Sequence, residues 1–254
     1  MGKLKKIPFV KFCVVCARQL LSKQNILKRI YCLFSYLKDY KKYIKTLDNP
    51  NFNLSSINAY PMIFDKTSTQ QVDYVYFYQD SWCAGKIFQA KPKHHYDIAS
   101  KAEMVGIISQ FIPTTMVDIR SLGVFLPNLT FKEGNLGNLP FKDGTIESLS
   151  SICVIEHIGL GRYGDPLEPW GSENSAGELK RVLKEGGDLY ISVPIDTENT
   201  IYFNAHRAFT RDYVLSVFSP LKLIEEKYIY NRDGIVDTYD KNRGFGTGLF
   251  HFKK

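Results

Sequence analysis

The sequence contains no uninterrupted run of roughly 20 apolar residues, the minimum for a helix that crosses a bilayer. Its apolar stretch at 9–22 is broken by Lys11 and Arg18. The same charges interrupt any signal-peptide core, and no clean small-residue cleavage site follows, so no cleaved leader is expected. Cysteine is sparse and odd in number: Cys13, Cys16, Cys32, Cys83 and Cys153. That gives no even disulfide framework and points to a reducing cytoplasm. Cys13 and Cys16 form a C-x-x-C pair, but zinc needs four ligands and no second Cys or His pair lies nearby. They read as apolar helix positions, and no metal site is expected. Internal repeats and low-complexity tracts are missing too.

What is present is ordinary in bulk and uneven in charge. The 254 residues, 44% apolar and 23% charged, suit one full globular domain and exclude global disorder or a collagen-like chain. The net charge of +7 is not spread out. Residues 1–50 hold 12 Lys or Arg and 2 Asp, and the remainder holds 21 basic and 24 acidic residues. A mildly acidic body gives no electrostatic case for nucleic acid. Residues 1–50 read as a basic amphipathic helical extension, with Ile26 to Ile44 alternating apolar or aromatic residues with Lys and Arg. Such a helix either packs on the domain or lies on an anionic membrane, which would place residues 1–47 at the inner membrane face.

Residues 51–93 read as a linker and helical lead-in, with a helix around 82–90. From residue 94 to 254, short apolar runs alternate with helical spacing. Strands are expected at 94–99, 115–119, 129–134, 149–156 and 188–194. Helices are expected at 101–111, 174–184 and 210–218, with Gly186 and Gly187 stopping the second. Segments 221–230 and 246–252 suit a closing antiparallel pair. This is an α/β pattern: a mostly parallel sheet with helices on both faces, and ligands at the carboxyl ends of its strands.

Those ends carry Asp97, Ala99, Ser100, Asp118, Gly134, Asn135, Glu156 and His157. Asp118, about 20 residues after Asp97, is placed to accept hydrogen bonds from both hydroxyls of a ribose, or else to cap the next turn. His157 and His206 are the histidines near the expected cleft, and a neutral imidazole is the natural base at physiological pH. The segment GLGRYGDPLEPWG (159–171) holds four glycines and two prolines. Its Arg162, Tyr163, Asp165 and Trp170 suit a lid over a sugar acceptor, or a rigid structural turn.

Three blocks fall in order: N-L-P-F (138–141), V-I-E-H-I (154–158) and E-L-K-R-V-L-K-E-G-G-D-L-Y-I-S-V-P (178–194). Together they resemble the small-molecule branch of the class I S-adenosylmethionine-dependent methyltransferases over about residues 94–230. GLGRYGDP (159–166) and FNAHR (203–207) further resemble a domain-of-unknown-function family associated with surface polysaccharide biosynthesis. The resemblance implies a Rossmann-like, seven-stranded sheet and S-adenosylmethionine as cofactor. Asp97 would lie near its methionine part, with Ala99 and Ser100 beside it. Asp118 would hold the ribose, Gly134 and Asn135 would border the adenine, and Glu156 would sit beside the transferred methyl. His157 and His206 would serve the acceptor's proton, while Arg162, Tyr163, Asp165, Trp170, Asn204 and Arg207 would bind the acceptor. The acceptor implied is a hydroxyl of a sugar or glycan intermediate. One departure stands out: the family's glycine-rich first loop is here Asp97-Ile98-Ala99-Ser100-Lys101-Ala102-Glu103. That loop leaves room for another reading, in which the fold serves as a non-catalytic module in glycan assembly, and the acceptor could equally be another small molecule.

Overall fold

A computed structural model describes residues 25–54 and 59–254. The apolar stretch at 9–22 and the Cys13–Cys16 pair lie outside the described residues. The chain divides into two units, Met1–Gln71 and Val72–Lys254.

In the first unit, helix α1 (Ile26–Thr46) starts at Asn25, whose side chain accepts from the Leu27 amide at 2.9 Å. Asn at this position satisfies one of the amides a helix start leaves unpaired. No residue of α1 is buried.

The second unit opens with α2 (Tyr74–Ala90), capped by the Asp73 carboxylate on the amides of Val75 and Tyr76. The cap explains why the helix begins eight residues before the expected 82. The second unit, Val72–Lys254, therefore includes this helix as well as residues 94–254. Trp82, Cys83 and Ile87 of α2 are buried in the core of the sheet, so this helix is part of the domain and not a lead-in.

The remaining elements alternate as expected. They are β1 (His95–Ile98), α3 (Ala102–Ile108), β2 (Thr114–Asp118), β3 (Leu129–Glu133), β4 (Ile146–Ile152), α4 (Gly171–Val182) and β5 (Leu183–Ile195). Then come β6 (Thr200–Tyr202), β7 (His206–Ala208), α5 (Arg211–Phe218), β8 (Lys222–Ile229), β9 (Ile235–Val236) and β10 (Gly246–Lys253). The sheet order is β3-β2-β1-β4-β5-β10-β8-β9. The first five run parallel; β10 is antiparallel to both β5 and β8. Two-residue β9 adds an eighth strand to the seven expected.

Side chains alternate across the sheet, as the two-residue repeat of a strand requires. Leu189, Ile191 and Val193 of β5 face a core with Leu179, Val182, Val214 and Phe218 of α4 and α5. Tyr190 between them faces the opposite core, with Trp82, Ile87, Met104 and Ile108 of α2 and α3.

Three local expectations change. The strand expected at 149–156 ends at Ile152, because Cys153 turns the chain with φ 53°. Helix α4 stops at Val182, before Gly186 and Gly187, which lie inside β5 where its register against β4 shifts. The segment after β5 is not a loop: β6 and β7 form a hairpin that carries His206.

Candidate functional site

The strand order changes direction at β1, whose neighbours are β2 and β4. At such a switch the loops leave to opposite sides and open a crevice at the strand ends. The crevice is there. Its wall is built from residues at the carboxyl ends of four strands: Ala99 after β1, Asp118 ending β2, Gly134 after β3 and Cys153 after β4. Asn135, His157, Tyr163 and Asp165 complete a narrow cleft of about 80 Å³. A second hollow adjoins it past Tyr76, Ser100 and Lys101, sharing Ala99, Asp118, Arg120, Cys153, His157 and Tyr163.

The backbone at the first loop is unusual. Ala99 takes φ 56°, the left-handed region that glycine adopts at no steric cost. The loop therefore reaches a glycine-type conformation without a glycine, and its small side chain leaves the cleft open. Gly134 is required for another reason: a Cβ there would stand 2.7 Å from Val117 Cγ1 and 2.9 Å from Pro140 Cδ.

Asp118 is nearly buried, and Arg120 holds it. The Arg120 amide donates to Oδ1 at 2.8 Å, and its guanidinium reaches Oδ1 and Oδ2 at 3.3 and 3.2 Å. The same guanidinium lies 4.6 Å from the centre of the Tyr163 ring. That stack ties the end of β2 to the 159–171 loop. Arg120 has no signature in the sequence pattern beyond its place two residues after a strand-end acid.

His157 donates from Nδ1 to the Ala205 carbonyl at 2.7 Å, since a carbonyl can only accept. Nε2 is then the ring's acceptor, 3.7 Å from Glu156 Oε1. Burial, with Arg162 and His206 nearby, lowers His157 to about 4 against the pull of the Ala205 bond. It is neutral at pH 7. Glu156 is buried, its Oε2 has no partner among the described residues, and burial pushes it up to about 8. Two neutral groups thus sit side by side, His157 lining the cleft and Glu156, expected beside the transferred methyl, buried behind it without lining the cleft.

Several expected site residues serve the frame instead. Asp97 is fully buried and does not line the cleft. Its carboxylate accepts from the Ser100 amide at 3.0 Å, from Ser100 Oγ at 2.7 Å and from Ser150 Oγ. Ser150 continues to His95 Nε2 at 2.9 Å, whose Nδ1 meets Ser148 Oγ at 2.9 Å. Asp97 belongs to this buried chain, which runs under the sheet's centre. Asp165 lines the cleft, yet its carboxylate folds the loop: it accepts from the amides of Gly159, Gly161 and Tyr163 at 2.7, 3.3 and 3.2 Å. Those bonds hold its carboxyl below its ordinary value against the cost of burial.

Arg207 is 6% exposed and faces the loop's interior, not the cleft. It donates to the carbonyls of Ile158, Glu168 and Pro169 and to Ser172 Oγ. Arg162 bonds the Ala205 carbonyl at 2.7 Å and flanks Tyr163. His206 lies against Tyr202 and Phe245, away from the cleft, because β6–β7 pairing turns it there. Trp170 is 65% exposed at the start of α4, and Asn204 is exposed at the hairpin; neither lines the cleft. Cys153 lines the cleft, and Tyr76 the adjoining hollow, without having stood out in the sequence.

The residues fit S-adenosylmethionine on one condition. Asp118, Gly134, Asn135 and the open Ala99 turn stand where a nucleoside needs an acid, a close backbone approach and a polar edge. Asp118 can accept two ribose hydroxyls only if the Arg120 guanidinium swings off it. Arg120's side chain is 57% exposed against 7% for Asp118, so the guanidinium can leave into water, and the ribose hydroxyls would then have to replace its hydrogen bonds to the carboxylate. Among the described residues, no group of three or more His, Cys, Asp or Glu is arranged to hold a metal ion, and no helix is long and apolar enough to cross a membrane.

No curated protein matches the chain. A family model described as a Caenorhabditis protein of unknown function, DUF268, matches residues 141–226. Among solved structures, a protein described as a sarcosine dimethylglycine methyltransferase of Galdieria sulphuraria is similar at 13% identity, with a TM-score of 0.50 over 69% of this chain and 84% of that one. The [4+2]-cyclase SpnF is similar at 12% identity and a TM-score of 0.50, over 69% and 81%. A geranyl diphosphate methyltransferase solved with S-adenosylmethionine is similar at 10% identity and a TM-score of 0.49, over 68% and 84%. The chain has the Rossmann-like fold of S-adenosylmethionine-dependent methyltransferases.

Proposed function

We propose that the chain is an S-adenosylmethionine-dependent methyltransferase acting on a hydroxyl of a sugar or glycan intermediate, in the cytoplasm. The observation that supports it is the ring of strand ends around one cleft, with Asp118 on its floor and Gly134 and Asn135 beside it. When bound, the cofactor supplies an electrophilic methyl group. The protein's work is then to place an oxygen behind that methyl and take its proton. His157 is the acceptor of that proton: neutral at pH 7, fixed by Ala205, with Nε2 unprotonated. Tyr163 lines the cleft with a ring of the kind that stacks on sugars, and a sugar there would take the place of the Arg120 guanidinium on its face. The choice of a sugar and of surface polysaccharide assembly comes from the resemblance of GLGRYGDP and FNAHR.

Calorimetry with S-adenosylmethionine tests the cofactor. Binding is expected, and Asp118→Ala should weaken it about tenfold or more, by removing two hydrogen bonds to a charged acceptor. Arg120→Ala should not weaken it, because Arg120 competes for the same carboxylate. The reverse pattern would mean that Arg120, not Asp118, holds the ligand. His157→Ala should slow methyl transfer at least tenfold while leaving cofactor affinity nearly intact. Loss of affinity with normal turnover would remove His157 from the chemistry.

A second reading is favoured by the Arg120 lock on Asp118: a fold kept as a non-catalytic module in glycan assembly. The [4+2]-cyclase neighbour illustrates that this fold is not tied to methyl transfer. No heat and no thermal shift at millimolar cofactor would favour this reading over the first.

A further inference from the structure

Helix α1 carries a feature that methyl transfer does not use. Ile26, Ile30, Phe34, Leu37 and Ile44 recur at helical spacing on one face and are 67, 48, 68, 42 and 50% exposed. Leu27 and Tyr31 widen the stripe and are 72 and 74% exposed. Isolated apolar residues on a surface are normal, but a continuous stripe of large ones marks a contact surface.

We propose that this stripe docks into the surface of an anionic lipid bilayer, with α1 lying in the plane of the membrane. Charge selects that occupant. The helix holds six basic residues and one acid. The acid, Asp39, is already paired with Lys66 at 3.2 Å. Lys38, Lys42 and Lys45 run along one edge of the stripe, at the level where lipid phosphates meet the apolar layer. Lys41 lies on the stripe itself, where its long stem can follow the apolar surface and carry the ammonium out to the headgroups. A protein groove would have to supply an acid for each of these lysines in fixed positions, whereas a fluid anionic surface neutralises them in any arrangement. At 21 residues the helix is about 30 Å long. Its charges forbid crossing, so it lies flat. Tyr31, exposed at the edge of the stripe, is suited to the interface by its polar tip.

The test uses the full chain and sedimentation with vesicles of phosphatidylcholine alone or with about a third phosphatidylserine. Binding is expected only to the anionic vesicles and should fall at least tenfold between 0.1 and 0.5 M salt. The double variant Phe34→Gln, Leu37→Gln should lose most of it, and Lys41→Glu, Lys42→Glu should lose it at low salt. Both variants should keep the wild-type melting temperature, since no residue of α1 is buried. Equal binding to neutral and anionic vesicles would overturn the proposal, as would wild-type binding by the Gln double variant. So would a lipid-free dimer that the Gln double variant abolishes, because the stripe would then be an interface between two copies of this chain.

Discussion

Replacing Arg207 with leucine should destabilise the protein by roughly 3–5 kcal/mol, the largest loss expected from any single side chain discussed above. Four acceptors depend on it: the carbonyls of Ile158, Glu168 and Pro169 and the Ser172 hydroxyl. Two effects oppose each other. Leucine removes the cost of burying a cation that has no carboxylate partner among the described residues. It also strands the carbonyls of Ile158 and Pro169 where water has little access, since the residue is only 6% exposed, while Glu168 keeps the Gly171 amide at 3.0 Å. Each stranded group costs about 1–3 kcal/mol, and together they outweigh the recovered desolvation.

Relief by rearrangement is blocked by packing. Gly159 holds φ 83°, and a Cβ there would stand 2.1 Å from the Glu168 carbonyl oxygen, so the two strands of the loop are already in contact. Thermal unfolding should show a melting point lower by about 10 °C for a chain of this size. Arg207→Lys should lose less, keeping the charge but not the forked geometry. A leucine variant that melts with the wild type would show that the loop holds itself. Cofactor affinity should fall as well, because Tyr163 and Asp165 of this loop line the cleft.

The contrast between Arg207 and Asp118 shows what a sequence can disclose. Strand ends are legible because the two-residue repeat and its punctuation are local. Asp118, Gly134 and His157 follow from them and do line the cleft. Which way a polar side chain turns is decided by partners far along the chain. Asp97 is claimed by Ser150, 53 residues away, and Arg207 by carbonyls of the 158–169 segment. Asp165 was open to either a lid or a turn, and its three amide partners make the 159–171 loop a self-bracing turn that still borders the cleft. The β6–β7 hairpin escaped because its strands are three residues each, too short for any periodicity to register. Cys153 ended β4 early through a left-handed backbone that no residue preference announces.

Between pH 6.5 and 8, the wild type should lose about 2 kcal/mol of stability relative to Glu156→Gln. Glu156 is raised from its ordinary range to about 8, chiefly by burial. A carboxyl raised on folding holds its proton longer in the native state than in the unfolded one. Folding is therefore favoured at low pH, and that advantage drains away as pH rises from the unfolded value to about 8.

Below pH 6.5 other groups cancel much of this. Burial pushes Asp97 up to about 6, which gives the same sign, but it lowers His95 to about 3 and His157 to about 4, which gives the opposite sign. Each histidine binds its proton more readily when unfolded, so its contribution improves as pH climbs towards 6.5. Above that pH Asp97 is largely ionised in both states, while the unfolded histidines, about half charged at 6.5, are still giving up their protons. That contribution raises stability with pH and is shared by both proteins, so the difference between them isolates Glu156, at up to about 1.4 kcal/mol per pH unit. Glutamine keeps the shape and cannot ionise, so its unfolding free energy should rise slightly across the window while the wild type falls behind it. Denaturant melts at half-unit steps read this directly, and parallel profiles for the two proteins would mean that Glu156 is ionised throughout. The same residue stands 3.7 Å from His157 Nε2. Its ionisation would place a negative charge beside the ring and raise the basicity of His157. The conditions that weaken the fold would then strengthen the proposed base, and the wild type should gain methyl transfer towards pH 8 where Glu156→Gln does not.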